Sequence, residues 1–334
     1  MKIVIFDVEP WECETFETLN RDHELAFEEG SLDAETVEKY RDADIISAFI
    51  YSDHSRDVLS RFDDLKFIAT RSTGFDHIDM EWCRENDVAV SNVPTYGENT
   101  VAEHVFALLL AISHRLVDAV DRTRRGDFSQ GGLQGFDLKG RTFGVIGTGN
   151  IGAHVARIAR GFEMEVVAFD LKPREAVARE FGFSYVEMDE LLEKSDVISL
   201  HVPGTEKTQG LIGKEAFGKM KDGAILINTA RGPVVDTKAL LEALSSGKLQ
   251  AAGLDVLPEE PVLREEAELL RVYFTQKHDL DTLLADHILL RMRNVVITPH
   301  TAFNTREAVQ RILDTSLENI EGYLRGKPPN VVSS

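Results

Sequence analysis

Cysteine is almost missing from this chain: Cys13 and Cys83 are the only two among 334 residues. Two thiols can build neither a disulfide framework nor a thiolate metal cluster, and the usage fits a reducing, cytoplasmic compartment. No metal site is expected. Positive charge is also in short supply, with 37 Lys and Arg against 57 Asp and Glu, a formal net charge of −20. A surface this acidic repels phosphate backbones and anionic lipid, so nucleic acid and membrane are not expected as partners. An anionic small molecule must then be drawn in by local positive charge. Long apolar runs are missing too. Val105–Ile112 is too short to cross a bilayer, and Met1-Lys2 leads straight into the apolar Ile3–Phe6 with no signal-like leader. There is no repeat of solenoid length and no low-complexity tract.

What remains is a globular composition, 43% hydrophobic and 28% charged, over a length that suggests about two domains. Short apolar runs at Ile3–Phe6, Ile45–Ile50 and Lys66–Ala69 alternate with helix-compatible stretches, the pattern of α/β units on a parallel sheet. Pro94 and Gly97 interrupt the alternation, and an apolar helix is expected over Val101–Val120. Arg122–Lys139 reads as a surface connection. Strands follow at Thr142–Ile146, Val166–Phe169, Val197–Leu200, Ala224–Asn228, Gly253–Val256 and Val295–Thr298. Helices are expected at Ile151–Phe162, Leu240–Leu249 and Thr305–Leu324, the last with apolar residues at a period of 3.6. The later strands form one doubly wound domain, the first hundred or so residues another, and the tail beyond His300 returns to the first.

The strand Thr142–Ile146 runs into Gly147-Thr148-Gly149-Asn150-Ile151-Gly152 and then a helix. In that setting the first glycine permits the turn, the second lets backbone approach a pyrophosphate, and the third lets helix pack on strand. Amides at the helix start face the phosphate charge. Asp170 ends the next strand, where a carboxylate can bind both ribose hydroxyls of NAD and repel the 2′-phosphate of NADP. Asp170 is otherwise a helix cap or a solvated strand end, and nearby Lys172 and Arg174 temper the preference for NAD.

Arg231, Glu260 and His300 follow strand ends in the second half. The carboxyl ends of strands border the ligand crevice in an open α/β sheet, so the three can converge beside a bound nicotinamide. Taken singly each has a plainer reading: a surface ion-pair partner, a solvated loop charge, a structural histidine. Their joint placement favours chemistry.

Several stretches together resemble the D-isomer-specific 2-hydroxyacid dehydrogenases, and most closely their D-lactate dehydrogenase branch. They are Thr70–Asp79 (TRSTGFDHID), Asn92–Tyr96 (NVPTY), Gly144–Gly152 (GVIGTGNIG), Asn228–Gly232 (NTARG), Leu254–Val256 with Glu260, and Thr298–Phe303 (TPHTAF). They cover nearly the whole chain in order. The resemblance implies two doubly wound parallel-sheet domains, a Rossmann-type NAD domain over 99–300 and a flavodoxin-like substrate domain over 1–98 and 301–334, with a cleft between them. It implies NAD-dependent hydride transfer between a small, pyruvate-like 2-oxo acid and its D-2-hydroxy acid. Arg231 would grip the carboxylate, His300 would exchange a proton with the substrate oxygen, and Glu260 would pair with His300. Gly147, Gly149, Asn150, Ile151, Gly152, Asp170, His201, Val202, Pro203, Thr229, Ala230 and Asp255 would hold the cofactor, Asp255 at the nicotinamide carboxamide. The backbone of Thr73 and Gly74 would receive the carboxylate, and Tyr51, Tyr96 and Phe303 would line the side-chain pocket. A homodimer through the helix near Val101–Val120 is implied as well. Glycerate, hydroxypyruvate or phosphoglycerate enzymes on the same scaffold, and a non-enzymatic NAD-sensing protein, are the alternatives. The stretch Leu263–Leu290 is longer than in the phosphoglycerate or glycerate branches and is expected to be partly helical.

Overall fold

Apolar strand runs alternating with one-sided helices produce two separate parallel sheets. The computed structural model describes residues 1–258 and 280–332. Contacts divide the chain into two units, Met1–Tyr96 with Thr305–Ser334, and Gly97–Asn304.

The first unit carries β1 (Lys2–Ile5), β2 (Glu24–Phe27), β3 (Ile45–Ala48), β4 (Phe67–Thr70) and β5 (Ala89–Ser91), in the order β2-β1-β3-β4-β5. All pairings are parallel, the flavodoxin-like arrangement. Every residue of β3 and β4 is buried, as central strands covered on both faces require. The edge strands β2 and β5 lack such runs and were not apparent in the sequence. One is only partly buried and the other is 3 residues long. The returning helix Arg306–Leu324 is capped by Thr305, whose hydroxyl accepts from the Ala308 amide. Its Tyr323 stacks on Phe67 with ring centroids 4.4 Å apart.

The second unit carries β6 (Thr142–Ile146), β7 (Glu165–Phe169), β8 (Ser184–Tyr185), β9 (Val197–Leu200), β10 (Ala224–Asn228), β11 (Leu249–Leu254) and β12 (Val295–Ile297). Their order is β12-β11-β10-β9-β6-β7-β8, the Rossmann order with one strand added beyond β11. Alternate residues feed two cores: Ile146, Leu200, Leu226 and Leu254 go to one, and Val145, Val197, Ile225 and Ile227 to the other. Register then fixes the carboxyl edge of the sheet. Phe169, Ile146, Leu200, Asn228, Leu254 and Ile297 are each the last residue of their strand, and they pair side by side in one continuous row.

The single helix expected over Val101–Val120 is two helices, Glu98–Ser113 and Leu116–Arg124, meeting at 64°. Arg115 takes a left-handed φ of 50° at the break. The cause is an incoming loop: the Phe136 amide donates to the Ser113 carbonyl at 3.0 Å. Gly135 packs so close that a Cβ there would lie 1.9 Å from that oxygen. The carbonyl that a continuing helix would offer to Val117 is therefore already used. The first helix buries Val101, Ala102, Val105, Phe106, Leu108 and Leu109, while the second buries nothing. Most of the apolar surface expected at a dimer interface thus lies inside the unit. The expected helix Leu240–Leu249 is Thr237–Ser245, with Leu249 already opening β11. In Leu263–Leu290, residues up to 279 lie outside the described residues, and Leu280–Leu289 is helical.

Candidate active site

β6 ends at Ile146, and the chain must reverse at once into the helix Asn150–Gly161. Gly147 makes the reversal at a φ of +91°, and a side chain there would meet the His201 carbonyl oxygen at 2.6 Å. A Cβ on Gly152 would lie 2.0 Å from the Gly147 carbonyl oxygen, so the helix can approach the strand only with glycine at that position. Gly149 faces open space, with nothing within 4 Å of its Cβ position. A ligand could approach the backbone closely here, beside the amides at the helix start, which have no partner within the helix.

Asp170 follows β7 and is turned onto this loop. Its Oδ2 accepts from the Thr148 amide at 2.6 Å and the Thr148 hydroxyl at 3.0 Å, and its Oδ1 from the Lys172 amide at 2.8 Å. Burial pushes the carboxyl up, but the amides of Lys172 and Thr148, the Thr148 hydroxyl and the Arg174 guanidinium outweigh it and hold the pKa below the ordinary value. Arg174 reaches back over the turn, donating to the Thr148 carbonyl and, at 2.8 Å, to the Gly149 carbonyl. Tyr185 closes the bracket with its hydroxyl 2.7 Å from the Thr148 hydroxyl. His201 follows β9, its Nε2 2.8 Å from the Ser199 hydroxyl, and desolvation pushes its pKa down to about 3. The ring is neutral at working pH. Val202 packs against Gly147, and the Pro203 carbonyl accepts from Thr208.

Beyond β10 the side chain of Asn228 folds the next turn, accepting from the Ala230 amide and donating to the Arg231 carbonyl, each at 3.0 Å. Arg231 leans its stem on Gly204, and its Nη1 donates to the Ala230 carbonyl at 2.8 Å. Gly232 is required because a Cβ would sit 2.3 Å from the Leu257 carbonyl carbon. The Thr229 hydroxyl is buried with no hydrogen-bond partner among the described residues. A polar atom in that state calls for a ligand group or water. Together with the open Gly149 and the ionised Asp170, it fits a dinucleotide lying along this edge.

Asp255 follows β11 and is 1% exposed. Its backbone carbonyl accepts the His300 amide at 2.9 Å. Its carboxylate accepts the Thr301 amide at 3.0 Å, the Ala302 amide at 2.8 Å and the Thr298 hydroxyl. Burial pushes this carboxyl up, and the donors of His104, Thr298, Ala302 and Thr301 bring it below the ordinary value. Asp255 therefore holds the turn that presents His300, a residue with a left-handed φ of 53°. Phe303 is partly buried just beyond it. Glu260 lies outside the described residues.

Residues expected to meet the substrate also occur in the first unit. The Ser72–Gly74 loop is pinned by Thr73 Oγ1 donating to Val93, by Asn92 Nδ2 donating to Thr73, and by Ser72 Oγ donating to Gly74, each at 2.7 Å. Tyr51 is 40% exposed and meets Phe49 edge-on at 5.2 Å. The Tyr96 carbonyl accepts from Arg311.

The parallel sheet of Rossmann order, the glycine turn and its acid define an NAD-binding oxidoreductase. Residues 106–302 match the family model described as D-isomer specific 2-hydroxyacid dehydrogenase, NAD binding domain. The chain is 34% identical to D-lactate dehydrogenase of Escherichia coli, with 98% of each covered, and 38% identical to a 2-hydroxyacid dehydrogenase homolog of Haemophilus influenzae, with 98% and 97% covered. It superposes with a TM-score of 0.85 on D-lactate dehydrogenase from Aquifex aeolicus complexed with NAD and lactic acid, at 37% identity over 97% of this chain and 96% of that one. This chain belongs to the D-isomer-specific 2-hydroxyacid dehydrogenases, in the branch that contains the D-lactate dehydrogenases. It is an NAD-dependent enzyme that interconverts a small 2-oxo acid and its D-2-hydroxy acid.

Sequence reasoning missed His104, Thr298 and Tyr185 as members of the site. Thr298 sits inside a motif that could have pointed to it. His104 stands on a helix whose pattern shows only core packing, and it meets Thr298 across 194 positions of sequence.

Proposed function

We propose that the enzyme works on pyruvate and D-lactate, with Arg231 and His300 contacting the reacting acid. The observation that carries the reading is the in-register row at the end of the second unit's sheet. Gly147, His201 and Asp255 come directly after it, and Arg231 and His300 each three residues after it. β10 and β12 are two strand spacings apart, roughly 10 Å, so Arg231 and His300 issue from strand ends on either side of β11.

The Arg231 guanidinium is a rigid two-pronged donor that matches a carboxylate. His300 gives a proton to the keto oxygen during reduction and takes one from the hydroxyl during oxidation. Glu260, assigned from the sequence motif alone, is proposed as the partner that orients the His300 ring. NAD, when bound, supplies the centre that accepts or gives the hydride. The chain holds it with Gly147, Gly149, Asn150, Ile151 and Gly152 at the pyrophosphate, Asp170 at the ribose, and His201, Val202 and Pro203 beside the adenosine. Thr229 and Ala230 line the same edge. Asp255 is assigned to the carboxamide, its carboxylate also accepting from Thr298, Thr301 and Ala302 with His104 Nε2 3.4 Å from Oδ1. In the first unit, the amides of Thr73 and Gly74 are assigned to a carboxylate, and Tyr51 and Tyr96 to apolar contact with a small side chain.

Steady-state rates with pyruvate, longer 2-oxo acids, glyoxylate and hydroxypyruvate, each with NADH and NADPH, test the proposal. Pyruvate with NADH should give the highest kcat/KM. No turnover of any 2-oxo acid by folded protein would remove it.

A homodimer is part of the same reading. Leu116, Val117 and Val120 are 53%, 50% and 36% exposed on a helix with no buried residue, and Phe128 is 80% exposed. Apolar surface concentrated in this way marks an interface. Val117→Asp should convert a dimer to monomer in light scattering, and a wild-type monomer would refute it.

A further inference from the structure

Behind the turn that carries His300 stands a short polar chain. His104 projects from the helix Glu98–Ser113, with its Nε2 2.9 Å from Thr298 Oγ1 and 3.4 Å from Asp255 Oδ1. Thr298 Oγ1 in turn lies 2.5 Å from Asp255 Oδ1. A hydroxyl has one proton, and an ionised carboxylate can only accept. The Thr298 proton therefore goes to Asp255, its oxygen must accept from His104, and the His104 ring carries its proton on Nε2. Every bond points the same way, from imidazole to hydroxyl to carboxylate.

The end of that chain bears directly on His300. Asp255 fixes the 300–302 turn at three points: its carbonyl takes the His300 amide, and its carboxylate takes those of Thr301 and Ala302. His300 needs such fixing. A left-handed conformation costs a non-glycine residue about 1–2 kcal/mol and persists only where its surroundings impose it.

We propose that His104 is a positioning residue for His300: through the Thr298 hydroxyl it sets the Asp255 carboxylate, which holds the His300 turn in its left-handed form. This rests on His300 being the proton-carrying residue.

The test compares full-length wild type with His104→Leu and His104→Gln, using NADH and pyruvate. Glutamine can place an N–H near the position of the Nε2 proton, and leucine cannot. His104→Leu should lower kcat about 10- to 100-fold, the scale of an ångström-sized misplacement. NADH affinity, read by fluorescence titration, should stay within about threefold, a change of well under 1.4 kcal/mol. His104→Gln should recover most of kcat. Thr298→Val, which removes the linking hydroxyl, should reproduce the loss, and adding His104→Leu to it should cost little more because the two act in one chain. Wild-type kcat in His104→Leu, a glutamine variant as impaired as the leucine one, or fully additive losses would each overturn the proposal. If His104→Leu does not fold, Thr298→Val and His104→Gln still decide it. Wild-type kcat in His300→Ala would overturn the underlying assignment instead, so the two failures are told apart.

Discussion

In the proposed reading, Arg231 and His300 divide the work by the kind of side chain each is. A guanidinium is always positive and suits a permanent carboxylate, whereas an imidazole changes charge near neutrality and suits an oxygen that gains or loses a proton. Arg231→Gln should lose about 1.5–3 kcal/mol of charge-assisted hydrogen bonding, a fall of roughly 10- to 150-fold in kcat/KM for the 2-oxo acid, with NADH binding nearly intact. Loss of NADH binding with substrate turnover spared would reverse the assignment. His201 makes a prediction of its own. Its pKa is pushed from the ordinary 6.5 down to about 3 in the folded protein. The unfolded chain therefore binds the proton first, and the contribution to stability is complete above about pH 6.5 and falls as pH drops toward 3, by at most about 1.4 kcal/mol per unit. Melting curves of His201→Gln should show a shallower acid limb across that window, and an unchanged limb would refute it. Residues with a distinctive neighbourhood in sequence, such as Arg231 after NTA and His300 after TP, can be singled out as candidates from the chain alone. Those defined only by what they touch, such as His104 and Tyr185, cannot.

At the scale of elements, glycine sets the site. Gly152 lets the helix Asn150–Gly161 start against β6, and Gly152→Ala forces a methyl to within 2.0 Å of a backbone oxygen. Overpacking of this kind costs about 1–3 kcal/mol, so the variant should melt lower and bind NADH weakly, whereas wild-type affinity would contradict the role given to the turn. Central strands with unbroken apolar runs declared themselves in the sequence, and the alternation with helices pointed to parallel sheets. The edge strands β2, β5 and β8 did not, because they are short or half-exposed and their pairing depends on neighbours rather than on composition. The broken helix at Ser113 was illegible for a related reason. No glycine or proline marks it, and its cause is a carbonyl taken by a loop more than twenty residues later in the chain.

The whole molecule carries a net charge of −20, which repels itself in the compact state. The screening length falls from about 10 Å at 0.1 M salt to about 3 Å at 1 M, so added potassium chloride should raise the melting temperature across that range. A fall would show that the surface ion pairs, such as Lys219 with Asp189 at 2.8 Å, outweigh the general repulsion. In the proposed reading, one edge of the second unit's sheet brings NAD together with the side chains that direct hydride to the C2 carbon of a 2-oxo acid. The decisive measurement is the reduction of pyruvate with NADH deuterated at the transferring position of the nicotinamide. Wild type should form D-lactate carrying deuterium at C2, and His300→Ala should lose that product. Unlabelled lactate, the L isomer, or equal turnover by the variant would contradict that reading.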